Sequence, residues 1–210
     1  MNLKYKSFNT ITGIPKVHQN NNLENFENFY TKEFYEELEK IALQIIEERF
    51  KHNYLILCGS PGSGKSHFLV GLYKALVGKL TYIHGEGALF ITFSDFMTEM
   101  IVRFNKEVHS MRELLVDYWV ARYLFLDDVT STERVFKFDS MESTVFRDTM
   151  IERWDNQKFL AFTSNFSRED LIKFITTTYG NYVASRVISS ATIIEFPKKD
   201  FRFSRNKLNK

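Results

Sequence analysis

The 210-residue chain is 44% hydrophobic and 26% charged, with a formal net charge of +2. That is long enough for one domain with a sizeable core, and too nearly neutral to specify a polyanionic partner by charge alone. One cysteine, Cys58, excludes an internal disulfide framework. No apolar run could cross a bilayer, and the opening MNLKYKSFNT lacks the apolar core of a secretory signal. A cytoplasmic protein with no membrane contact is expected.

In chain order, residues 1–29 show no clear periodicity and are Asn-rich, which reads as an arm that is irregular or ordered on docking and that could bind a partner. Thr31 is expected to cap a helix running to about Phe50, with Phe34, Leu38, Ile41 and Ile45 on one stripe. Its other face, with Glu33, Glu36, Glu37, Glu47 and Glu48, reads as solvated. YLILC (54–58) reads as a buried strand ending in a core thiol, Cys58, and residues 65–77 as the following helix. ALFITF (88–93) is a second strand, after which Ser94 is expected to cap a helix to about Lys106. A third strand lies within RYLFLDDV (122–129), a helix over 140–154, and a fourth strand in KFLAFTSN (158–165). Ser167 and Asp170 open a helix over 167–175, a short helix follows over 181–188, and TIIEF (192–196) is a fifth strand. Continuous apolar strands alternating with helices indicate an α/β fold with a five-stranded parallel sheet between helices. A single domain over 30–203 is expected, followed by a basic tail, 204–210.

GSPGSGKS (59–66) matches G-x-x-x-x-G-K-[ST] at every fixed position, with a strand before it and a helix after it. Gly62 and Gly64 let the backbone wrap an anion with its N–H groups inward, and the helix N-terminus adds its dipole. Lys65 supplies a charge to the β- and γ-phosphates, and Ser66 a hydroxyl to Mg²⁺. Gly59, Ser60, Pro61, Gly62, Ser63, Gly64, Lys65, Ser66 and His67 are the candidate nucleotide-binding residues. About sixty residues later an apolar run ends in Asp127 and Asp128. Asp127 is the candidate on the metal side, with Ser66; Asp128 is the candidate to polarise the attacking water. Asn165, whose amide both donates and accepts, is the candidate to reach the γ-phosphate or that water, with Thr163 and Ser164 as backups. Arg186 is a candidate for transition-state charge because it stays protonated.

With these residues in place, the chain resembles the AAA+ ATPases of the DnaC/DnaI helicase-loader and IstB transposition-helper group. The resemblance spans about residues 30 to 203 and rests on GSPGSGKSHFLVGLYKAL, LFITFSDFMTEM, YLFLDDV, MIERWDNQKFLAFTSNF and YGNYVASRVISSATIIEFPKKDFR. It implies an AAA+ type P-loop NTPase with little or no C-terminal lid. It also implies ATP as the nucleotide, Asn165 as sensor 1 and Arg186 as an arginine finger acting on a neighbouring copy. The implied activity is slow, switch-like ATP hydrolysis in an ATP-dependent oligomer, working in DNA replication with a replicative helicase or another DNA-processing protein. The chain departs from the group in three places. Few residues precede the loop; DDVT stands where DDxG is common; and 129–139 is aromatic and charged.

PKKDFRFSRNKLNK (197–210) carries six basic residues and one acidic, with Phe201 and Phe203 interleaved. It could follow a phosphate backbone and stack a base, or be a solvated tail. Arg103, Lys106, His109 and Arg112 are further candidates for DNA contact, and the loader resemblance implies single-stranded DNA. An IstB-like helper on duplex DNA is the main alternative. A P-loop kinase fits less well, because no arginine-rich lid segment is present; a non-hydrolysing module would leave the tandem aspartates without a role.

Overall fold

The computed structural model describes residues 13–80, 87–104, 111–130 and 140–201. The expected parallel sheet is present: β1 (Tyr54–Gly59), β2 (Ala88–Thr92), β3 (Tyr123–Asp127), β4 (Phe159–Thr163) and β5 (Ala191–Phe196), in the order β2-β3-β4-β1-β5. Every paired neighbour is parallel. The helices described are α1 (Lys32–Ile46), α2 (Lys65–Leu80), α3 (Phe93–Phe104), α4 (Met111–Val120), α5 (Met141–Asp155) and α6 (Arg168–Ser189). Strand side chains alternate between two cores. Tyr54, Ile56, Cys58, Leu124, Leu126, Leu160 and Phe162 face one core together with α3 to α6. Leu55, Leu57, Tyr123, Phe125, Phe159 and Ala161 face the other with α1 and α2. Both faces are covered, so the strands carry no polar stripe. Cys58 is buried as expected, and burial pushes its thiol up to about 11.

The helix boundaries differ from the sequence expectations in instructive ways. Thr31 caps α1 by accepting from the Phe34 N–H, but the helix ends at Ile46, where Glu48 turns left-handed at φ 60°. Ser94 does not cap α3. Thr92 does: its hydroxyl accepts from the Asp95 N–H at 3.1 Å and donates to the Asp95 carboxylate at 2.8 Å. The strand thus passes into the helix with no loop, and Ser94 falls inside the first turn. α4 was not foreseen. The two helices expected over 167–175 and 181–188 are both present within α6, separated at Gly180, whose φ of 79° and ψ of 168° are non-helical; the first runs on to Tyr179, and Ser167 caps it as expected. Residues 13–30 of the arm carry two short 3-10 turns, Lys16–His18 and Glu24–Phe29. They lie on α2, where the Lys74 ammonium donates to the Gln19 and Asn21 carbonyls. A Cβ on Gly71 would stand 2.8 Å from the Asn22–Leu23 backbone, so this close approach needs glycine. Among the described residues no helical lid follows β5, and no helix is long and apolar enough to cross a membrane. Residues 204–210, 105–110 and 131–139 lie outside the described set.

At the amino ends of the strands, opposite the glycine-rich loop, Arg153 is fully buried. Its Nε donates to the Phe159 carbonyl at 3.0 Å, Nη1 to Tyr118 at 2.7 Å and Nη2 to Arg122 at 2.8 Å. Burial pulls its pKa down to about 9. The side chain ties the C-terminal ends of α4 and α5 to the starts of β3 and β4. Arg153→Met takes the donor from three carbonyls, and each charged hydrogen bond is worth about 1.5–3 kcal/mol. The expected loss is about 3 kcal/mol or more in urea unfolding; a loss below about 1 kcal/mol would contradict this role.

Candidate functional site: a glycine-rich loop beside two aspartates

β1 lies between β4 and β5, and the chain leaves β1 to form β2 on the far side of β4 and β3. The loop 59–66 therefore opens at the carboxyl ends of the strands where the winding reverses, the position at which α/β sheets bind ligands. Gly62 and Gly64 have φ of 76° and 91°, the left-handed conformation that the sequence predicts for them. Two flanking segments close over these glycines. A Cβ on Gly64 would lie 2.6 Å from the Tyr30 hydroxyl, and one on Gly62 2.1 Å from the Asp200 carboxylate. The Phe201 N–H donates to the Gly62 carbonyl at 3.1 Å.

Lys65 is buried. Its ammonium donates to the Gly59 and Ser60 carbonyls, each at 2.8 Å, and approaches the Ser63 hydroxyl at 3.4 Å. The charge is thereby held inside the curl of the loop. The next residue, Ser66, donates to Asp127 Oδ1 at 2.8 Å, and Thr163 donates to the same oxygen at 2.7 Å. Asp127 is 4% exposed, and burial holds its carboxyl above the ordinary range against those two hydrogen bonds. Asp128 turns away at φ 63°. Its N–H donates to the Thr163 hydroxyl at 2.7 Å, and its Oδ1 accepts from the Asn165 amide at 3.1 Å. The tandem aspartates are thus separated by one backbone turn: Asp127 faces the loop and Asp128 faces Asn165.

Thr163, a backup in the sequence reading, holds both aspartates. Thr130 was missed. Its hydroxyl accepts from the Asn165 N–H at 2.8 Å and lies 3.0 Å from the Ser164 hydroxyl. The signal was present as DDVT, where a side-chain oxygen replaces a bare turn. His67 is directed to the arm: its Nε2 donates to Asn25 Oδ1 at 2.6 Å and to the Asn22 carbonyl at 3.1 Å, with the ring edge-on to Phe26. Through His67 the arm is fastened to the first turn of α2.

A cavity of about 730 Å³ opens over these groups, lined among others by Phe26, Tyr30, Lys65, Asp127, Asn165 and Phe201. The size is ordinary for a small-molecule site. Two buried hydroxyls around the loop, of Ser60 and Tyr30, have no hydrogen-bond partner among the described residues. Phe201 had been grouped with Phe203 as a possible stacking platform for nucleic acid. It is instead buried against the Tyr30 ring, 5.1 Å between centroids, as a wall of this cavity. Phe203 lies outside the described residues, as do Lys106, His109 and the side chains of Arg103 and Arg112.

Arg186 is not brought to this cavity. Its carbonyl accepts from the Ser190 hydroxyl, and the Ser190 carbonyl accepts from Asn53 and Tyr54 at the start of β1. The loop leaves the other end of that six-residue strand, roughly 20 Å along the sheet at about 3.3 Å per residue.

No family model matches the chain, and no curated protein matches it. Solved structures do. The DnaC helicase loader superposes with a TM-score of 0.69 at 18% identity, over 87% of this chain and 100% of that one. DnaI gives 0.64 at 19% identity, over 89% and 93%. AMPPCP-bound DnaA from Aquifex aeolicus gives 0.64 at 18% identity, over 93% of this chain and 56% of that one. At these identities the likeness establishes the fold, that of the AAA+ P-loop NTPases. The neighbours include the DnaC and DnaI proteins whose group the sequence resembles.

Proposed function

We propose that the protein binds and hydrolyses ATP in a site completed by a second copy, and acts in DNA replication as a helicase loader or similar assembly factor. The observation that carries this reading is the convergence of Lys65, Ser66, Asp127, Asp128 and Asn165 on one cavity, with Arg186 held apart beside the start of β1. Lys65 binds the β- and γ-phosphates and the loop N–H groups wrap them. The Ser66 hydroxyl and the Asp127 carboxylate, already 2.8 Å apart, fit Mg²⁺, which takes one or two protein oxygens and completes its shell with phosphate and water. Burial disfavours charge on Asp127, and a divalent cation would offset that cost. When bound, Mg²⁺ neutralises charge developing on the phosphates. Asp128 orients and polarises the attacking water, and Asn165 fixes the Asp128 carboxylate while presenting its amide to the γ-phosphate side.

The replication role rests on the resemblance and on the neighbours, among them a helicase loader and a DnaA bound to AMPPCP and single-stranded DNA. The proposed partners are further copies of this chain, a replicative helicase or comparable DNA-processing protein, and DNA. Asp128→Asn is expected to leave ATP affinity within about twofold and to slow turnover by roughly a hundredfold, the usual weight of such a group. Wild-type turnover in that variant would remove Asp128 from the chemistry, and no turnover in either protein would assign a module that binds ATP without hydrolysing it.

A further inference from the structure

Arg186 is held in an unusual way for a half-buried arginine. Its guanidinium carbon lies 3.4 Å from the centroid of the Tyr182 ring and 4.7 Å from that of Trp154. Nη1 makes one long hydrogen bond, 3.3 Å, to the Tyr182 carbonyl, and Nε is buried with no hydrogen-bond partner among the described residues. No carboxylate among the described residues pairs with it. The side chain is therefore fixed by two aromatic faces, which orient a planar cation while leaving its N–H edge free of any anion. An arginine serving stability alone would more economically carry a carboxylate partner or several carbonyls, as Arg153 does. Tyr182 is 61% exposed although it is large and partly apolar, so the sandwich stands at the surface.

We infer that Trp154 and Tyr182 are positioning residues that hold the Arg186 guanidinium in a fixed orientation for the phosphates of an ATP bound to the neighbouring copy. This rests on the reading of Arg186 as a group acting in trans. The two rings come from different helices, α5 and α6, so the direction of the cation is set by the packing of that pair. The rings touch no substrate. They restrict the guanidinium to one plane before assembly, and an ordered group needs less immobilisation when the copies meet.

The test uses mixed full-length proteins. A Lys65→Ala donor, with a disabled loop and an intact Arg186, is titrated into Arg186→Ala, whose loop is intact, and ATP turnover is read. The donor is then remade with Tyr182→Ala, Trp154→Ala or Tyr182→Phe added. Turnover restored by the plain donor and by the Tyr182→Phe donor, but roughly 10- to 100-fold lower with the Tyr182→Ala donor, is the expected pattern. Because Tyr182 is exposed, that variant keeps its fold even where Trp154→Ala does not. ATP affinity of the Tyr182→Ala protein should be unchanged. Equal rescue by the plain and Tyr182→Ala donors would overturn the positioning role and leave Arg186 standing. No rescue by the plain donor would overturn the trans reading itself.

Discussion

Lys65→Ala is expected to abolish tight ATP binding while the protein remains folded. The ammonium sits within the loop, 5% exposed and bonded to two of the loop's own carbonyls. It is the cation that the loop itself supplies. Removing one partner of a buried charge pair costs about 2–5 kcal/mol, or about 30- to several-thousandfold in affinity at 1.4 kcal/mol per decade. The cost to the fold is smaller. The sheet is held by apolar residues on both faces, and the lysine contributes only its contacts within the loop. Calorimetric titration with ATP and a thermal melt check both halves of the expectation. Unchanged affinity would mean that the loop does not hold phosphate.

Arg186→Ala should behave in the opposite way: ATP binds as before, and hydrolysis falls by about a thousandfold, the weight of an arginine that meets transition-state charge. The binding half follows from geometry. Arg186 lies beside the start of β1 and the loop leaves its end, so the arginine contributes nothing to the affinity of its own subunit. Single-turnover and binding measurements on the same variant separate the two effects. Weakened ATP binding in the isolated subunit would contradict the assignment.

The sheet and the loop were legible in the sequence because buried parallel strands need uninterrupted apolar residues. YLILCG and YLFLD end in glycine or aspartate where backbone must meet a ligand. The aspartates and Asn165 were legible for the same reason, as polar residues at strand ends. What could not be read was tertiary. Thr92 outcompetes Ser94 because the strand runs directly into the helix, which no local propensity encodes. The first helix, expected over 167–175, runs on to Tyr179 because that residue packs into the same core as Leu171 and Ile175. α4 offers only Leu115 and Tyr118 as fully buried anchors among its described side chains, too short a pattern to separate from a loop. The roles of Tyr30, His67 and Phe201 depend on chain ends that meet over the loop, and contacts between residues so far apart leave no local trace.

The central claim is that the catalytic site is shared between copies. Steady-state ATP hydrolysis measured against protein concentration, with and without single-stranded DNA, tests it most directly. A rate per subunit that climbs with concentration, and climbs further with DNA, is the expected result. A rate per subunit flat in both would mean that each chain carries a complete site, and would contradict the account.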